Sequence, residues 1–351
     1  MAKHFFDISN QARSGEPEKS FMQKPIIPLS PEVEDYLTAV GRYQAFPVAY
    51  TDLLHYRFTD AVRDEAGKLT HWERLSFTPE YASALYPRLL DSIRLLEPEI
   101  ALNGSIGVID ICEYGNSNPF RIQLRLANGA DRWYFLKQAD CSRLLGLELA
   151  HLLGTQPASY LAHEQTVLEA AIEGMPGDQF LRQRVPGADQ SEKTALARAF
   201  VRFCQQAYGC LLGDMRHYNF VVRTGTVVPQ LLPIDFDQQL HEGFPSFYSP
   251  QYFRENLGWV ELVESMLTAD QILAVEEEER DRWRNRFREN QERLHACMQA
   301  FSSVTLSERH QIRLLVQAWY PSGWPEDSLP SALELLEYHW QQVFDVSTAA
   351  N

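Results

Sequence analysis

The chain has no Cys-x-x-Cys pair. Its five cysteines, Cys112, Cys141, Cys204, Cys210 and Cys297, are scattered and odd in number, which argues against both a disulfide framework and a zinc site. None of its ten histidines falls in a His-x-x-x-His pattern, so zinc hydrolysis is unsupported. There is no Gly-x-Ser-x-Gly elbow for acyl transfer and no Gly-Lys-Ser phosphate loop. No run of about 18 apolar residues suggests a membrane span, and the N-terminus carries no secretory signal, so the expected location is cytoplasmic. Basic residues are also short: 32 Lys and Arg against 47 Asp and Glu give a formal net charge of -15, which argues against sequence-independent binding to nucleic acid or anionic membrane.

What remains is a 351-residue chain, 45% hydrophobic and 23% charged, long enough for two lobes. The informative stretch is 211 to 237. Leu211-Leu212-Gly213-Asp214 leads through Arg216, His217 and Asn219 into the strand-like Phe220-Val221-Val222, and after a turn Leu231-Leu232-Pro233-Ile234 ends at Asp235-Phe236-Asp237. Taken singly, Asp214 and Asn219 read as turn formers and Asp235 as a strand-end residue. Taken together, they place a carboxylate five positions before a carboxamide, with a second carboxylate across a hairpin. Phosphoryl transfer needs that set: a carboxylate near the attacking hydroxyl and oxygen ligands for a hard cation.

The stretch resembles the catalytic and metal-binding loops of the protein-kinase-like superfamily. It is closest to the Gly-Asp-x-x-x-x-Asn and Ile-Asp-Phe forms of aminoglycoside phosphotransferases and phosphoinositide kinases. Two positions depart from the wider pattern: Asp237 stands where Asp-Phe-Gly has glycine, and no His-Arg pair precedes Asp214, which argues against a eukaryotic-type protein kinase. The resemblance implies an α/β (α+β) two-lobed fold, with a small antiparallel sheet lobe and a larger, mainly helical lobe. It also implies ATP and Mg2+ as cofactors. Asp214 would act on the acceptor hydroxyl, with Arg216 neutralising the transferred group, and Asn219, Asp235 and Asp237 would lie at the metal. His217 reads either as a second basic group or as a turn residue packed under the loop, and the packed role is favoured.

Around residue 104 the composition shifts to branched residues. Strands are predicted over Ile106 to Cys112, Phe120 to Leu126 and Arg132 to Lys137, the last two joined by the hairpin signal Asn128-Gly129. By the resemblance, Gly115, Asn116 and Ser117 in the first loop would cover the phosphates and Lys137 would reach them, although a plain hairpin turn explains that loop as well. Lys137 closes an apolar run and needs a partner. Glu148, eleven residues on in a predicted helix, is the first candidate, with Glu164 and Glu169 as rivals. The strand Thr166 to Ile172 would lead into the hinge, with Glu169 and Ala171 beside the adenine.

Residues 1 to 103 read as an N-terminal arm, flexible or draped up to about residue 28, followed by a mainly helical extension. A helix is capped by Ser30-Pro31 and another runs from Pro79 to Leu96. Residues 104–173 read as the smaller lobe and 174–351 as the larger one. The run Glu276-Glu277-Glu278-Glu279 reads as a solvated helix face. The activity expected is transfer of the ATP γ-phosphoryl group to a hydroxyl of a small molecule or protein. Nucleotidyl transfer from the same fold, or a catalytically silent nucleotide-binding scaffold, are the alternatives.

Overall fold

The computed structural model describes residues 24–64, 67–101, 104–112, 117–154, 158–225, 228–320, 324 and 328–346. Its contacts divide into two compact units: one holds the described chain from Lys24 to Cys141 with Ala158–Ala171, and the other holds the helix that follows Cys141 and the chain from Ile172 onward.

The first unit is built on an antiparallel sheet of seven strands. These are β1 (Phe58–Arg63), β2 (Leu69–Ser76), β3 (Gly104–Ile111), β4 (Phe120–Leu126), β5 (Asp131–Gln138), β6 (Tyr160–His163) and β7 (Thr166–Ala170), in the order β1-β2-β3-β4-β5-β7-β6. Its helices are α1 (Pro31–Ala39), α2 (Pro79–Leu96) and the single turn α3 (Pro98–Ala101). Along β4, Phe120, Ile122 and Leu124 alternate inward and meet Leu85, Leu89 and Ile93 of α2 in one core. Both helices start where the sequence predicts: the Ser30 and Thr78 hydroxyls accept from the third backbone N–H of α1 and α2, with proline in each first turn. The β4–β5 turn forms at Asn128-Gly129, with Gly129 at φ 80° and Leu126 N donating to Ala130 O at 2.9 Å.

The N-terminal extension carries the expected helices α1 and α2, but it is not helical alone, because it also contributes β1 and β2. Nor is there a break at 103/104, because Glu73 and Arg74 of β2 pair with Ile111 and Asp110 of β3. Asp110, fully buried, is held between Arg74 and Arg121. The arm ends earlier than expected: the Lys24 ammonium and the Ile27 N–H both bond the Asp140 carboxylate at 2.8 Å, so residues 24–27 are fastened down.

The second unit contains α4 (Cys141–Leu153), which the sequence reading placed with the sheet lobe. It continues with β8 (Met175–Pro176), α5 (Gly177–Gln183), α6 (Gln190–Cys210), β9 (Phe220–Arg223) and β10 (Gln230–Pro233), the strands forming a small sheet in the order β10-β9-β8. Helices α7 (Leu257–Met266), α8 (Ala269–Glu289), α9 (Gln291–Phe301), α10 (Arg309–Trp319) and α11 (Ala332–Phe344) complete it. One unit carries the seven-stranded sheet and the other most of the helices, an α+β organisation. No described helix is long and apolar enough to cross a membrane.

The glutamate run on α8 is only half solvated, contrary to expectation. Glu277 and Glu278 are exposed, but Glu279 is fully buried and accepts from Gln206 at 2.9 Å, Arg282 at 2.9 Å and Arg286 at 3.3 Å. Glu276, also buried, accepts from Gln205 at 3.2 Å. A helix face that carries buried carboxylates must supply their donors, and α6 and α8 do so.

His339 of α11 is fully buried, with Nε2 3.0 Å from Tyr208 O and Nδ1 2.7 Å from the Tyr320 hydroxyl. A neutral imidazole satisfies both, donating to the carbonyl and accepting from the phenol. Burial pushes its pKa down to about 3. Because the folded value lies below the unfolded one, the unfolded chain binds the extra proton, and stability is lost as pH falls below the ordinary histidine range. The slope attributable to this group approaches about 1.4 kcal/mol per pH unit. Urea unfolding of the parent and of His339→Gln between pH 7 and pH 5 should show the parent losing more stability; parallel slopes would exclude the effect.

Candidate functional site

The site is built from the end of α6 outward. The helix stops where Leu211 turns left-handed at φ 51°, and the next residues thread a narrow space. A Cβ on Gly213 would come within 2.5 Å of the Phe247 ring and 3.1 Å of Gln238 O, so only glycine passes there. Asp214 then takes a left-handed backbone, φ 59°, a conformation that Asp and Asn tolerate better than other side chains. Its N–H donates to Phe247 O at 3.2 Å.

Asn219 fastens the loop from the other side. Its Nδ2 donates to Asp214 O at 2.7 Å and lies 3.4 Å from the Asp214 carboxylate. Its own carbonyl accepts from Ile234 N at 3.0 Å, which brings the residue before Asp235 against the loop. Beneath them, Asn256, fully buried, donates to Met215 O at 2.8 Å and Pro250 O at 2.7 Å. Phe220, directly after Asn219, packs on Phe203 with centroids 4.7 Å apart and on Trp259 at 5.9 Å. An aromatic floor therefore fixes the polar loop above it.

Arg216 pairs with Asp214 and with Glu255 at 3.1 Å, and lies over the Phe253 ring at 4.8 Å. Burial alone would lower its pKa, but Asp214, Tyr218 and Glu255 carry it above the ordinary value, so it stays cationic. His217 lies half-buried, its pKa lowered by that burial, with its carbonyl accepting from Asp178 N at 3.0 Å.

Asp235 lies two residues beyond the end of β10, with its side chain 35% exposed and one carboxylate oxygen 2.7 Å from Arg143 Nη2. Arg143 lies in the first turn of α4 and is 1% exposed. The helix can come this close to the loop because residue 146 is glycine: a Cβ there would meet Phe236 Cβ at 3.0 Å and Phe236 O at 3.2 Å. Phe236 and Asp237 are both buried. Asn219 and Asp235 present amide and carboxylate oxygens, the donor kind that Mg2+ takes when water and phosphate oxygens complete its shell. Among the described residues, no group of three His, Cys, Asp or Glu is placed to hold a metal.

In the sheet unit, Lys137 of β5 is buried and its ammonium meets the Glu169 carboxylate of β7 at 2.9 Å. The partner expected first was Glu148. That residue lies on α4 in the other unit, where its fully buried carboxylate meets Arg293 at 2.9 Å. Glu164 is exposed on the tight β6–β7 turn. A strand pair puts residues 137 and 169 on one face by register, whereas distance along the chain does not select a partner. Ala171 N donates to Trp133 O at 2.9 Å, so that amide is engaged within the sheet unit. Ser117 sits half-buried in the turn before β4, and Gly115 and Asn116 lie outside the described residues.

These pairings predict separate effects on stability. Glu169→Gln should destabilise the sheet unit, because it parts the buried Lys137 ammonium from the carboxylate it meets. Glu148→Gln should instead destabilise the helical unit, where its carboxylate meets Arg293. Denaturant unfolding followed by a probe in each unit separates the two, and a Glu148→Gln effect confined to the sheet unit would contradict the assignment.

The sequence reading missed Arg143, Glu255 and Asn256. Of these only Arg143 left a signal, as a charged residue directly before the apolar run Leu144-Leu145-Gly146-Leu147.

No protein-family profile and no curated protein matches the chain. Among solved structures, "Complete CtTel1 dimer with C2 symmetry" aligns with 90% of this chain and 15% of that one at 10% identity, with a TM-score of 0.42. "Structure of the open conformation of CtTel1" gives the same coverages at 11% identity and a TM-score of 0.43. "FAT and kinase domain of CtTel1" aligns with 90% of this chain and 27% of that one at 10% identity, with a TM-score of 0.37. The chain thus spans between about a seventh and a quarter of the length of these structures.

Proposed function

We propose that the protein is a Mg2+-dependent phosphotransferase that moves the γ-phosphoryl group of ATP to a hydroxyl. One observation carries the reading: Asn219 holds Asp214 through its side chain and Ile234 through its backbone, so the Asp214 loop is tied to the segment that follows β10 and leads into Asp235.

In this reading Asp214 accepts a hydrogen bond, and then the proton, from the acceptor hydroxyl. Arg216, ion-paired with that carboxylate, adds positive charge beside it. Asn219 and Asp235 would hold magnesium, which supplies charge neutralisation at the phosphates when bound. Lys137, oriented by Glu169, would contact nucleotide phosphates. A catalytically silent nucleotide binder is the second reading, favoured by the arginine on Asp235.

Ligand binding to the folded state alone stabilises by mass action, about 2.7 kcal/mol at a hundredfold excess over Kd. ATP with Mg2+ should therefore raise the melting temperature, and Asp235→Asn should reduce the part of the shift that depends on Mg2+. No shift up to millimolar ATP would oppose both readings, and a shift indifferent to Mg2+ would remove Asp235 and Asn219 from the metal.

A further inference from the structure

Arg143 has an unusual position. A guanidinium that is 99% buried ion-pairs with a carboxylate that is about one-third open. Helix α4 is otherwise buried and apolar through this turn, and Gly146, one turn on, lets it lie against the backbone of Phe236. The arginine is therefore fixed by the helix, while Asp235 is the partner that faces outward.

Parting a buried guanidinium from a carboxylate it is paired with is costly, because no water replaces the lost contact. A cation arriving at Asp235 from the open side must either share the carboxylate with Arg143 or leave the arginine buried and less well paired. Both outcomes weaken its binding.

We propose that Arg143 is a resident competitor for the divalent cation at Asp235, so that the site fills only at high free Mg2+ and the protein's use of ATP follows the free cation concentration. The proposal rests on the phosphotransferase reading of Asp235. Arg143 is in this sense a positioning residue: it acts through Asp235 and sets how readily that carboxylate is given to a metal. A purely structural arginine would change stability on replacement and leave the cation requirement where it was.

The test is equilibrium binding of a fluorescent, non-hydrolysable ATP analogue to the full chain, titrated with Mg2+. Arg143→Gln should lower the Mg2+ concentration at half-maximal binding about tenfold or more, the scale of a nearby like charge removed. Arg143→Lys, which keeps the charge, should stay close to the parent. Equal midpoints in the parent and Arg143→Gln, with both abolished by Asp235→Asn, would overturn the competitor role and leave the metal assignment standing. Binding that ignores Mg2+ in the parent, Arg143→Gln and Asp235→Asn alike would overturn the metal assignment itself, and the proposal with it. If Arg143→Gln does not fold, the parent still decides. With its arginine Nε labelled with 15N, the Arg143 resonance should move over the Mg2+ range that promotes analogue binding, and a resonance that stays still while binding proceeds would contradict the proposal.

Discussion

Asp214→Asn is expected to lower turnover by about a hundred- to ten-thousandfold, the contribution usual for a positioned general base. The fold should barely register the change. Asparagine tolerates the left-handed backbone that residue 214 adopts, and the bond from Asn219 Nδ2 goes to the backbone carbonyl of that residue, which the substitution keeps. Arg216 loses one carboxylate but retains Glu255 at 3.1 Å and the Phe253 ring. Alanine would be the poorer test, because it would add the cost of a left-handed backbone to any catalytic effect. Turnover can be followed by autophosphorylation or slow ATP hydrolysis until an acceptor is in hand, with ATP affinity and melting temperature measured in parallel. A mutant that unfolds would make Asp214 structural, and one that folds, binds and turns over like the parent would remove it from the mechanism.

The largest effect on stability is expected at Trp259. Its ring is fully buried, stacked on Phe200 at 5.7 Å and on Phe180 at 6.4 Å, and edge-on to Phe220 at 5.9 Å. Trp259→Ala removes the middle of that cluster and should cost about 3–5 kcal/mol, from lost burial and the cavity left behind. Because Phe220 follows Asn219 directly, the catalytic loop should loosen before the unit unfolds as a whole. Nucleotide-dependent stabilisation should therefore weaken even at temperatures where the mutant remains folded. Trp259→Phe keeps an aromatic ring on Phe200 and should recover much of the loss. Denaturant unfolding followed by a probe in the helical unit is the measurement, since two units need not unfold together. A loss below about 1 kcal/mol would contradict the packing account.

What could be read from the sequence was what local rules encode. The Asn128-Gly129 turn, the alternation of Phe120, Ile122 and Leu124, the cap Ser30 and the spacing along α2 all act within a few residues, and those elements lie where the pattern put them. β1 and β2 escaped because β1 is mostly exposed and β2 buries a single side chain, so neither carries a clear apolar alternation. The Asp214–Asn219 loop was legible as a group because its members lie within one short stretch. Its supports were not: Asn256, Glu255 and Arg143 arrive from distant segments, and a single sequence does not say which carboxylate a lysine meets. Glu169 and Glu148 were both eligible for Lys137, and strand register decided between them. Likewise Glu276 and Glu279 read as solvated until α6 supplied their donors.

The most direct test of the central claim uses ATP labelled in turn at the γ and at the α phosphorus, incubated with the protein and Mg2+. The phosphotransferase account predicts that the γ label leaves the nucleotide, for an acceptor or for water, while the α label stays in ADP, and that Asp214→Asn suppresses the transfer. Transfer of the α label to protein would establish nucleotidyl transfer instead, and retention of both labels in intact ATP that nonetheless binds would contradict catalysis altogether.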